Sequence, residues 1–496
     1  MEDCLRFIQN FRFSKSGNVV LDRFKNLEFM RRVMPESVEP AFFDYLGTLD
    51  CSEVKLFAIR EGSVVFPKVP LITVEGPLAV CQLLETTFLN LVNFSSLVAT
   101  NASRFRNVAG NRVQLLEFGL RRAQGPNGGL SASKYCYVGG FDATSNLLAG
   151  KLFGIPVRGT QAHSFICSFS SIDDLKNRKI RKASGEREVD LYELSEQKLD
   201  MLMEKCKWGV SRSEISVGEL CAFVAYAIAF PTSFLALIDT YDVLRSGVIN
   251  FCAVTLALHE AGFRSVGCRI DSGDLSYLSR EVRGIFHRVA SLDKSLAWFE
   301  KLTIVASNDI NEDTITSLNE QQHEIDAFGV GTHLVTCQKQ PALGCVFKLV
   351  ALSGCPKIKL SAEVAKITIP GRKKCYRLYG KEGYGICDLM TLEDEPKPIA
   401  NEPILCRHPF LESKRALVIA KRVEELQLQY WGDGKILQSL PSLLGMKKHV
   451  NESLDHLRKD HRRLLNPTPY KVSVSEKLYE FLHSIWLQNA PIGQLE

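Results

Sequence analysis

The chain has 496 residues, which is enough for about three domains of ordinary size or for one large barrel with attachments. Apolar residues make up 45% and charged residues 24%, and with only 34 glycines and 19 prolines the composition excludes collagen-like, low-complexity and broadly disordered proteins. The net charge of +5 is too small for a protein dedicated to nucleic acid, and it suits an anionic small-molecule substrate.

The cysteine pattern and the most apolar segment indicate the cellular compartment of the protein. The 15 cysteines are scattered, with no Cys-x-x-Cys pair, so they are predicted to be buried thiols in a reducing compartment rather than a zinc site or a disulfide framework. The beginning of the chain has no apolar signal segment. Residues 221–238 are interrupted at Pro231, so they predict a core helix followed by a buried strand rather than a membrane span. We therefore expect a cytosolic globular protein with no membrane attachment.

The first third of the chain predicts helices around a small sheet. Residues 1–50 have helical patterns with a basic, polar interruption over residues 15–26. Residues 51–76 contain short β-branched runs separated by Gly and Pro, which is typical of antiparallel strands. A long apolar helix is predicted over residues 78–106.

From residue 111 onward, short apolar runs alternate with helical segments. Such runs, apolar on both faces, are typical of buried parallel strands and predict an α/β fold, with a barrel favoured over an open sheet. The seven predicted strands are 113–119, 155–160, 234–240, 265–271, 302–308, 325–331 and 346–352. The charged segment 171–215 is interpreted as a surface insertion.

Three segments follow from this pattern. Residues 111–352 are predicted to form the α/β barrel that carries the catalytic site. Residues 353–496 mix short strands with late helices and are expected to close onto residues 1–110, so that both chain ends build a second, α+β cap domain.

Polar and glycine residues cluster where the predicted strands end. In parallel α/β folds the chemistry lies beyond the carboxyl ends of the strands, so these residues are expected to meet on one face. Arginines and a glycine-rich loop indicate anionic substrates that include a phosphate, and the carboxylates indicate a divalent metal. The candidates are Glu117, Phe118, Arg121, Arg122, Thr160, His163, Asp239, Tyr241, Asp242, Arg269, Asp271, Asp274, Asn308, Asp309, Gly329, Gly331 and Thr332.

Each candidate also has a purely structural interpretation. His163 can be a satisfied core histidine, and the Asp271–Asp274 segment can cap the next helix. The glycines at 329 and 331 can form an ordinary tight turn, and Arg121 and Arg122 can form surface ion pairs. The functional interpretation is favoured because all of these residues fall at strand ends and none at a strand start.

These strand ends resemble a known family. The segments EFGLRRAQGPNGG (117–129), VRGTQAHSF (157–165), LIDTYDVLRSG (237–247), RIDSGDL (269–275), SNDI (307–310) and FGVGTHLVT (328–336) closely resemble nicotinate phosphoribosyltransferase. The resemblance extends over roughly residues 35–490. It implies a type II phosphoribosyltransferase: an irregular α/β barrel with a second α+β domain from both chain ends, cytosolic and homodimeric. It also implies synthesis of nicotinate mononucleotide from nicotinate and phosphoribosyl pyrophosphate, with Mg²⁺ (or Mn²⁺) and with ATP as co-substrate.

The resemblance also implies a role for each site residue. Arg269 and Thr160 would engage the nicotinate carboxylate or an adjacent phosphate, and Asp271 the ribose hydroxyls. His163 would be the phosphorylated histidine, with Asp239 as the carboxylate that orients its ring. The remaining substrate-binding residues would be Phe118 for ring stacking, Arg121 and Arg122 for the phosphates, and Gly329, Gly331 and Thr332 for the 5′-phosphate.

One family feature is missing from the pattern. The family begins with a longer leader that includes an Asp-Leu-Tyr-Gln element and a Phe-Arg…Pro-Phe-Gly-Gly element, and neither occurs here. Two alternatives therefore stay open beside the main hypothesis. The chain can be a nicotinamide phosphoribosyltransferase, although the surroundings of His163 and of Arg121 and Arg122 follow the acid-specific pattern. It can also be a catalytically impaired, truncated isoform that dimerises with a full-length partner.

Overall fold

The helices and strands follow one another in mixed order along the chain. The computed structural model describes residues 1–13, 27–185 and 187–490, so the polar interruption expected over residues 15–26 lies outside the described residues. The helices are α1 (Glu2–Gln9), α2 (Leu27–Val33), α3 (Pro40–Thr48), α4 (Leu78–Ala109), α5 (Gly125–Val138), α6 (Leu147–Phe153), α7 (His163–Ile166), α8 (Leu191–Cys206), α9 (Val217–Ala229), α10 (Val248–Glu260), α11 (Leu275–Ala290), α12 (Glu312–Glu320), α13 (Thr332–Val335), α14 (Leu443–Asp455) and α15 (Glu476–Asn489).

The strands are short, as the lengths of the apolar runs predict. They are β1 (Lys55–Ile59), β2 (Ile72–Glu75), β3 (Gln114–Glu117), β4 (Ala143–Thr144), β5 (Lys179–Arg181), β6 (Glu188–Asp190), β7 (Leu235–Leu237), β8 (Gly267–Ile270), β9 (Thr303–Ala306), β10 (Ala327–Val330), β11 (Ala351–Leu352), β12 (Cys355–Pro356), β13 (Lys373–Tyr379), β14 (Gly385–Leu392), β15 (Pro403–Arg407), β16 (Arg415–Ile419), β17 (Arg422–Glu425), β18 (Gln427–Gly432), β19 (Lys435–Ile436) and β20 (Lys471–Val474).

The chain divides into two compact units. One combines Met1–Ser96 with Ala342–Glu496, and the other is Leu97–Pro341. The expected second domain built from both chain ends is therefore confirmed. The division falls inside α4 rather than near residue 110, because the second half of this helix belongs to the other core. Phe105 packs edge-on against Phe141 at 6.1 Å, and Asn101 donates to the carbonyl of Leu334 at 2.8 Å.

The second unit is built on a six-stranded parallel sheet with the order β4-β3-β10-β9-β8-β7. Ile304 and Ala306 are fully buried on successive same-face positions of β9, and Val305 is buried on the opposite face. Burial on both faces explains why these strands have continuous apolar runs. Among the described strands, β7 pairs on one side only, and β4 has β3 on one side and a single bridge to Val157 on the other. The sheet is therefore a half-barrel that does not close, and the α/β barrel class is confirmed in this irregular form.

Two of the seven predicted barrel strands are wrong. Residues 155–160 contribute only a single bridge, between Val157 and Thr144, and the strand beside β3 is β4 instead. Pro156 has no N–H to donate to a ladder, which limits pairing in this run. Residues 346–352 lie in the other unit, where β11 and β12 form a small hairpin. Val346 is 65% exposed, so this apolar run was not a core strand.

The segment 171–215 is a surface insertion only in its first half. The charged run forms the hairpin β5–β6, in which Lys179 pairs with Asp190 across the strands and Arg181 with Glu188. The following helix, α8, packs against α10 and buries Leu199 and Leu202 completely. The interpretation of the whole segment as an insertion is therefore wrong, because α8 belongs to the core of the unit.

The unit formed by the chain ends contains two larger sheets, ordered β19-β18-β1-β2 and β16-β15-β20-β14-β13-β17. A buried ion pair crosses the second sheet, since Arg377 on β13 donates to both carboxylate oxygens of Asp388 on β14 at 2.8 and 2.9 Å. The rings of Phe66 and Tyr470 stack at 3.8 Å, and the guanidinium of Arg377 lies over both.

The apolar stretch at residues 221–238 is divided as predicted, into α9 and β7 with a turn between them. In the part of the chain that the structure describes, no helix combines the length and the hydropathy needed to span a bilayer.

Candidate active site

Arg269 joins three neighbouring segments at the carboxyl edge of the parallel sheet. It lies near the end of β8, where its side chain is 16% exposed. Its Nε donates to Ser307 Oγ at 2.7 Å, one terminal nitrogen to Thr160 Oγ1 at 3.0 Å, and the other to Asp271 Oδ1 at 2.9 Å. The fixed fork of a guanidinium explains how one side chain can hold partners on three sides.

Asp271 is an ionised carboxylate whose two oxygens have different surroundings. Burial works to raise its pKa, but the Arg269 guanidinium and hydrogen bonds from Ser307 and Arg269 outweigh burial, so the pKa lies below its usual value. Oδ1 accepts from both Arg269 and Ser307. Oδ2 lies 3.7 Å from Nε2 of His163 and is therefore the oxygen that faces the histidine.

Asp239 is almost completely buried just after β7, with its side chain 1% exposed. Its Oδ2 accepts from the backbone N–H of Asp271 at 3.0 Å and from Ser272 Oγ at 2.5 Å. Its Oδ1 has no hydrogen-bond partner among the described residues and lies 3.9 Å from Nε2 of His163. Buried polar atoms are normally paired, so this unpaired oxygen distinguishes Asp239 as a candidate functional residue.

His163 begins the short helix α7, and its side chain is 43% exposed. It is thus not a satisfied core histidine. Its Nδ1 contacts Thr240 Oγ1 at 3.2 Å, while Nε2 faces the carboxylates of Asp239 and Asp271 beyond hydrogen-bond distance. The orienting hydrogen bond therefore comes from Thr240, and the two carboxylates supply negative charge beside the other nitrogen.

Phe118 and the glycines of β10 form an apolar wall at this edge. A Cβ on Gly329 would lie 2.5 Å from carbons of the Phe118 ring, so the ring packs directly on the glycine backbone. The Arg269 guanidinium lies 5.4 Å from the centre of this ring. Gly331 precedes α13, whose first residue is Thr332. A Cβ on Gly331 would lie 3.2 Å from the Phe118 carbonyl oxygen, so this turn also lies close to Phe118.

Arg121 and Arg122 lie in a single 3₁₀ turn after β3, and both are exposed. Among the described residues, neither forms an ion pair with a carboxylate, so the alternative of surface ion pairs is not observed. Glu117, at the end of β3, is instead structural, because its carboxylate accepts from Ser133 Oγ at 2.8 Å and from Thr144 Oγ1 at 2.5 Å.

Other carboxylates at the strand ends cap helical turns. Asp274 accepts from the N–H of Tyr277 at 2.9 Å at the start of α11, which confirms the capping alternative for this residue. Asp242 accepts from the N–H groups of Leu244 and Arg245 at 2.9 and 2.8 Å. Tyr241, which precedes Asp242 in the sequence, is 53% exposed.

The turn after β9 has an unusual backbone. Asn308 and Asp309 have φ of +116° and +51°, values that non-glycine residues adopt rarely and that cluster at functional sites. Asp309 contacts His333 Nε2 at 3.2 Å, which ties this turn to α13.

Sequence reasoning missed four residues that build the site. Ser307 and Ser272 directly follow or neighbour predicted strand ends, and this position was the only signal for them. Thr240 stands beside Asp239 in the segment that carries the family resemblance. Gln161 is buried, and its amide, oriented to match donor with acceptor, donates to the Leu235 carbonyl at 3.0 Å and accepts from the N–H of Leu237 at 3.2 Å.

The parallel sheet and the residues at the carboxyl ends of its strands are those of an α/β enzyme of the barrel class. The site combines Arg269, the carboxylates of Asp239 and Asp271, and the accessible His163. Models of the nicotinate phosphoribosyltransferase N-terminal domain, family and C-terminal domain match residues 1–93, 257–377 and 372–482. The chain belongs to the nicotinate phosphoribosyltransferase family.

Individual relatives agree over the full chain. It is 65% identical to the nicotinate phosphoribosyltransferase of Caenorhabditis elegans, over 100% of this chain and 87% of the relative. It is 53% identical to nicotinate phosphoribosyltransferase 2 of Arabidopsis thaliana, over 100% and 88%. The crystal structure of human nicotinic acid phosphoribosyltransferase superimposes with a TM-score of 0.86 at 42% identity, covering 98% of this chain and 91% of that one.

Proposed function

We propose that this chain forms nicotinate mononucleotide and pyrophosphate from nicotinate and phosphoribosyl pyrophosphate, with coupled hydrolysis of ATP, in NAD biosynthesis. Membership of the family supports the transfer reaction. The observation that carries the ATP-coupled form is the accessible His163 beside the carboxylates of Asp239 and Asp271, at the same edge as Arg269.

The transfer step replaces one bond at the ribose C1. The lone pair of the pyridine nitrogen forms the new C–N bond, and pyrophosphate leaves with the electrons of the broken C–O bond. The transition state has oxocarbenium character, so the protein must hold the two reactants in line and balance a partly positive sugar. Asp271 suits this task, because its Oδ2 faces the site while Oδ1 is held by Arg269 and Ser307. It would hold the ribose hydroxyls and stabilise the positive charge.

Nicotinate would be recognised by its carboxylate. Arg269 carries the positive charge, and Thr160 Oγ1 lies within hydrogen-bond distance of its guanidinium. An arginine fork matches a carboxylate or phosphate geometrically. Phe118, whose ring lies beside this guanidinium, would stack on the pyridine ring. Gly329, Gly331 and Thr332 would surround the 5′-phosphate, and Arg121 and Arg122 would attract the phosphates from the exposed turn after β3.

The coupling step would phosphorylate His163. In the tautomer that carries its proton on Nδ1, His163 donates a hydrogen bond to Thr240 Oγ1, and the lone pair of Nε2 is free. This lone pair would attack the γ-phosphorus of ATP, and ADP would leave with the electrons of the broken P–O bond. Water later hydrolyses the phosphoramidate and returns the histidine. The added charge of about −1.5 to −2 would reorganise the site for pyrophosphate departure.

The donor set fits magnesium held mainly by substrate. The described residues contain no cluster of three or more potential metal ligands. Mg²⁺ usually binds through one or two carboxylates together with substrate phosphates, which this edge can supply. Asp271 would be the protein ligand, and the ion, when bound, would neutralise the departing pyrophosphate.

The decisive experiment measures nicotinate mononucleotide made by the purified chain from nicotinate and phosphoribosyl pyrophosphate, with and without ATP. We expect product in both reactions and more with ATP. The same assay with nicotinamide tests the alternative substrate, because nicotinamide lacks the anionic group that Arg269 is proposed to bind, and losing that charge-assisted hydrogen bond costs about 1–3 kcal/mol. Equal use of the two compounds would contradict the assignment of nicotinate.

We also infer a homodimer in the cytosol. Helix α6 exposes a leucine patch, with Leu147, Leu148 and Leu152 being 74%, 51% and 57% exposed, and such a contiguous apolar surface is typical of an interface. All 15 cysteines are free thiols, in keeping with a reducing compartment. Leu148→Glu with sedimentation analysis tests the dimer. Mixing the chain with a full-length relative tests the impaired-subunit alternative, which requires that the activity of the relative falls.

A further inference from the structure

Glu219 is a buried carboxyl that the reaction described above does not use. It lies in the first turn of α9 and is 0% exposed. Its Oε2 accepts from Ser246 Oγ at 2.6 Å and from Asn250 Nδ2 at 3.1 Å, whereas its Oε1 has no hydrogen-bond partner among the described residues. An ionisable group in the core is costly, so its retention calls for a compensating role.

The hydrogen bonds of Glu219 join three segments. Ser246 lies in a π-helical turn, Val243–Gly247, that connects the loop after β7 to α10. Ser246 Oγ also accepts from the N–H of Ser216 at 2.9 Å, and Asn250 Nδ2 donates to the Ser216 carbonyl at 3.0 Å. Glu219, Ser246, Asn250 and Ser216 thus form one network, here called the Glu219 brace. Single π-helical turns occur frequently at functional sites.

The brace is packed directly against the strand that leads into the site. A Cβ on Gly247 would lie 1.9 Å from the carbonyl oxygen of Ile238, so the π-helical turn and the end of β7 are in close backbone contact. Only glycine permits this approach. Movement of the turn would therefore displace Ile238, the residue immediately before Asp239.

The short segment between Ile238 and the π-helical turn contains two residues that face His163, Asp239 and Thr240. Thr240 contacts Nδ1 at 3.2 Å, and Asp239 Oδ1 lies 3.9 Å from Nε2. The geometry points to Glu219 as a positioning residue: by holding Ser246 and Asn250 it fixes the π-helical turn, and thereby places Thr240 and Asp239 for phosphorylation of His163. This inference rests on the proposed role of His163.

The test compares Glu219→Ala with Glu219→Gln. Glutamine keeps an oxygen that can accept from Ser246 and Asn250, whereas alanine removes both hydrogen bonds. In Glu219→Ala we expect acid-labile labelling of His163 from γ-labelled ATP to fall at least about tenfold, because a displacement near 1 Å can cost on the order of a hundredfold. The KM for nicotinate should change much less than the labelling, since the side chains of Arg269 and Thr160 lie outside the brace. Glu219→Gln should restore labelling.

Asp326→Asn is the matched control for general loss of stability. Asp326 also lies in this unit, where its Oδ2 accepts from Arg283 at 2.6 Å and from the N–H of Ile304 at 2.8 Å. It precedes β10 and therefore lies at the amino edge of the same sheet, opposite the site. We expect a lower melting temperature for this variant with labelling of His163 as in the parent.

The outcomes separate the two hypotheses. A labelled parent with equal labelling of Glu219→Ala would overturn the role of Glu219 and leave the proposed function standing. An unlabelled parent would remove the role of His163 and this inference with it. If Glu219→Ala does not fold, Ser246→Ala removes the hydrogen bonds of Ser246 Oγ with Glu219 and with the N–H of Ser216. Loss of label with little change in the nicotinate KM supports the inference, whereas parent-like labelling overturns it.

Discussion

Two Arg–Asp pairs in this protein have different functions. Arg377 and Asp388 are 5% and 1% exposed and share two parallel hydrogen bonds, and the Arg377 guanidinium lies over the stacked rings of Phe66 and Tyr470. Arg269 and Asp271 are 16% and 25% exposed and share one, while the other guanidinium nitrogens bond to hydroxyl groups. Hydroxyl partners can be exchanged for a substrate anion at low cost, whereas a desolvated bidentate carboxylate cannot. The partners, rather than the pair itself, distinguish a binding site from a structural bridge.

Removing the structural arginine should have the largest effect. Arg377→Ala leaves the buried carboxylate of Asp388 without its cation, so we expect the free energy of unfolding to fall by about 3–5 kcal/mol. Chemical denaturation measures this change. A loss below about 1 kcal/mol would mean that the pair is no more important than a surface ion pair.

Removing the arginine of the site should affect activity more than stability. In Arg269→Ala we expect kcat/KM for nicotinate to fall on the order of a hundredfold, equivalent to about 2–3 kcal/mol, as is typical for truncating one partner of a hydrogen-bonded charge pair. The unfolding free energy should change less than in Arg377→Ala, because this pair is more exposed. The reverse ranking of stability losses would refute the comparison.

Glu219 is a buried carboxyl with no cationic partner among the described residues, and its contribution to stability should depend on pH in the opposite sense from that of Asp271. Burial raises its pKa to about 7, against the hydrogen bonds from Ser246 and Asn250 that lower it, and the negative charges of Asp239 and Asp242 raise it further. Because the folded-state pKa is above the unfolded value, stability is fully present below about pH 4.5 and is lost as pH rises to about 7.

The measurement is the difference in unfolding free energy between the parent and Glu219→Gln across this range. We expect the parent to lose on the order of 2–3 kcal/mol relative to the variant between about pH 4.5 and 7. Asp271, whose pKa is lowered by Arg269, contributes stability that is instead lost as pH falls. A constant difference between the parent and Glu219→Gln would show that Glu219 keeps one protonation state.

The smallest effect should come from a neutral partner of Arg269. Thr160→Val preserves the shape of the side chain but removes the hydroxyl that accepts from Arg269. We therefore expect kcat/KM to fall roughly fivefold, which is equivalent to about 1 kcal/mol. A hundredfold loss would indicate that Thr160 contacts the reacting groups directly.

The sequence predicted the parallel sheet because runs buried on both faces differ from alternating ones. The strand prediction was wrong for residues 155–160, which contain Pro156, and for residues 346–352, which are exposed at Val346. Arg269, Asp271 and His163 were predictable from their place at strand ends and from the family resemblance. Ser307 and Thr240 were not, since hydroxyl residues at strand ends have many uses. Glu219 appears only as a charge within an apolar helix, and its partners on the turn before α10 and on α10 itself become evident only when the helices pack.

The bond between Gln161 and β7 has a consequence for behaviour at high concentration. A sheet that does not close leaves backbone groups along its last strand, and such edges can pair with other chains and start aggregation. The amide of Gln161 occupies the Leu235 carbonyl and the Leu237 N–H, which are two positions of this edge. Gln161, which directly follows Thr160, thus also protects the open side of the sheet, and its replacement would affect the yield of expressed protein as well as its chemistry.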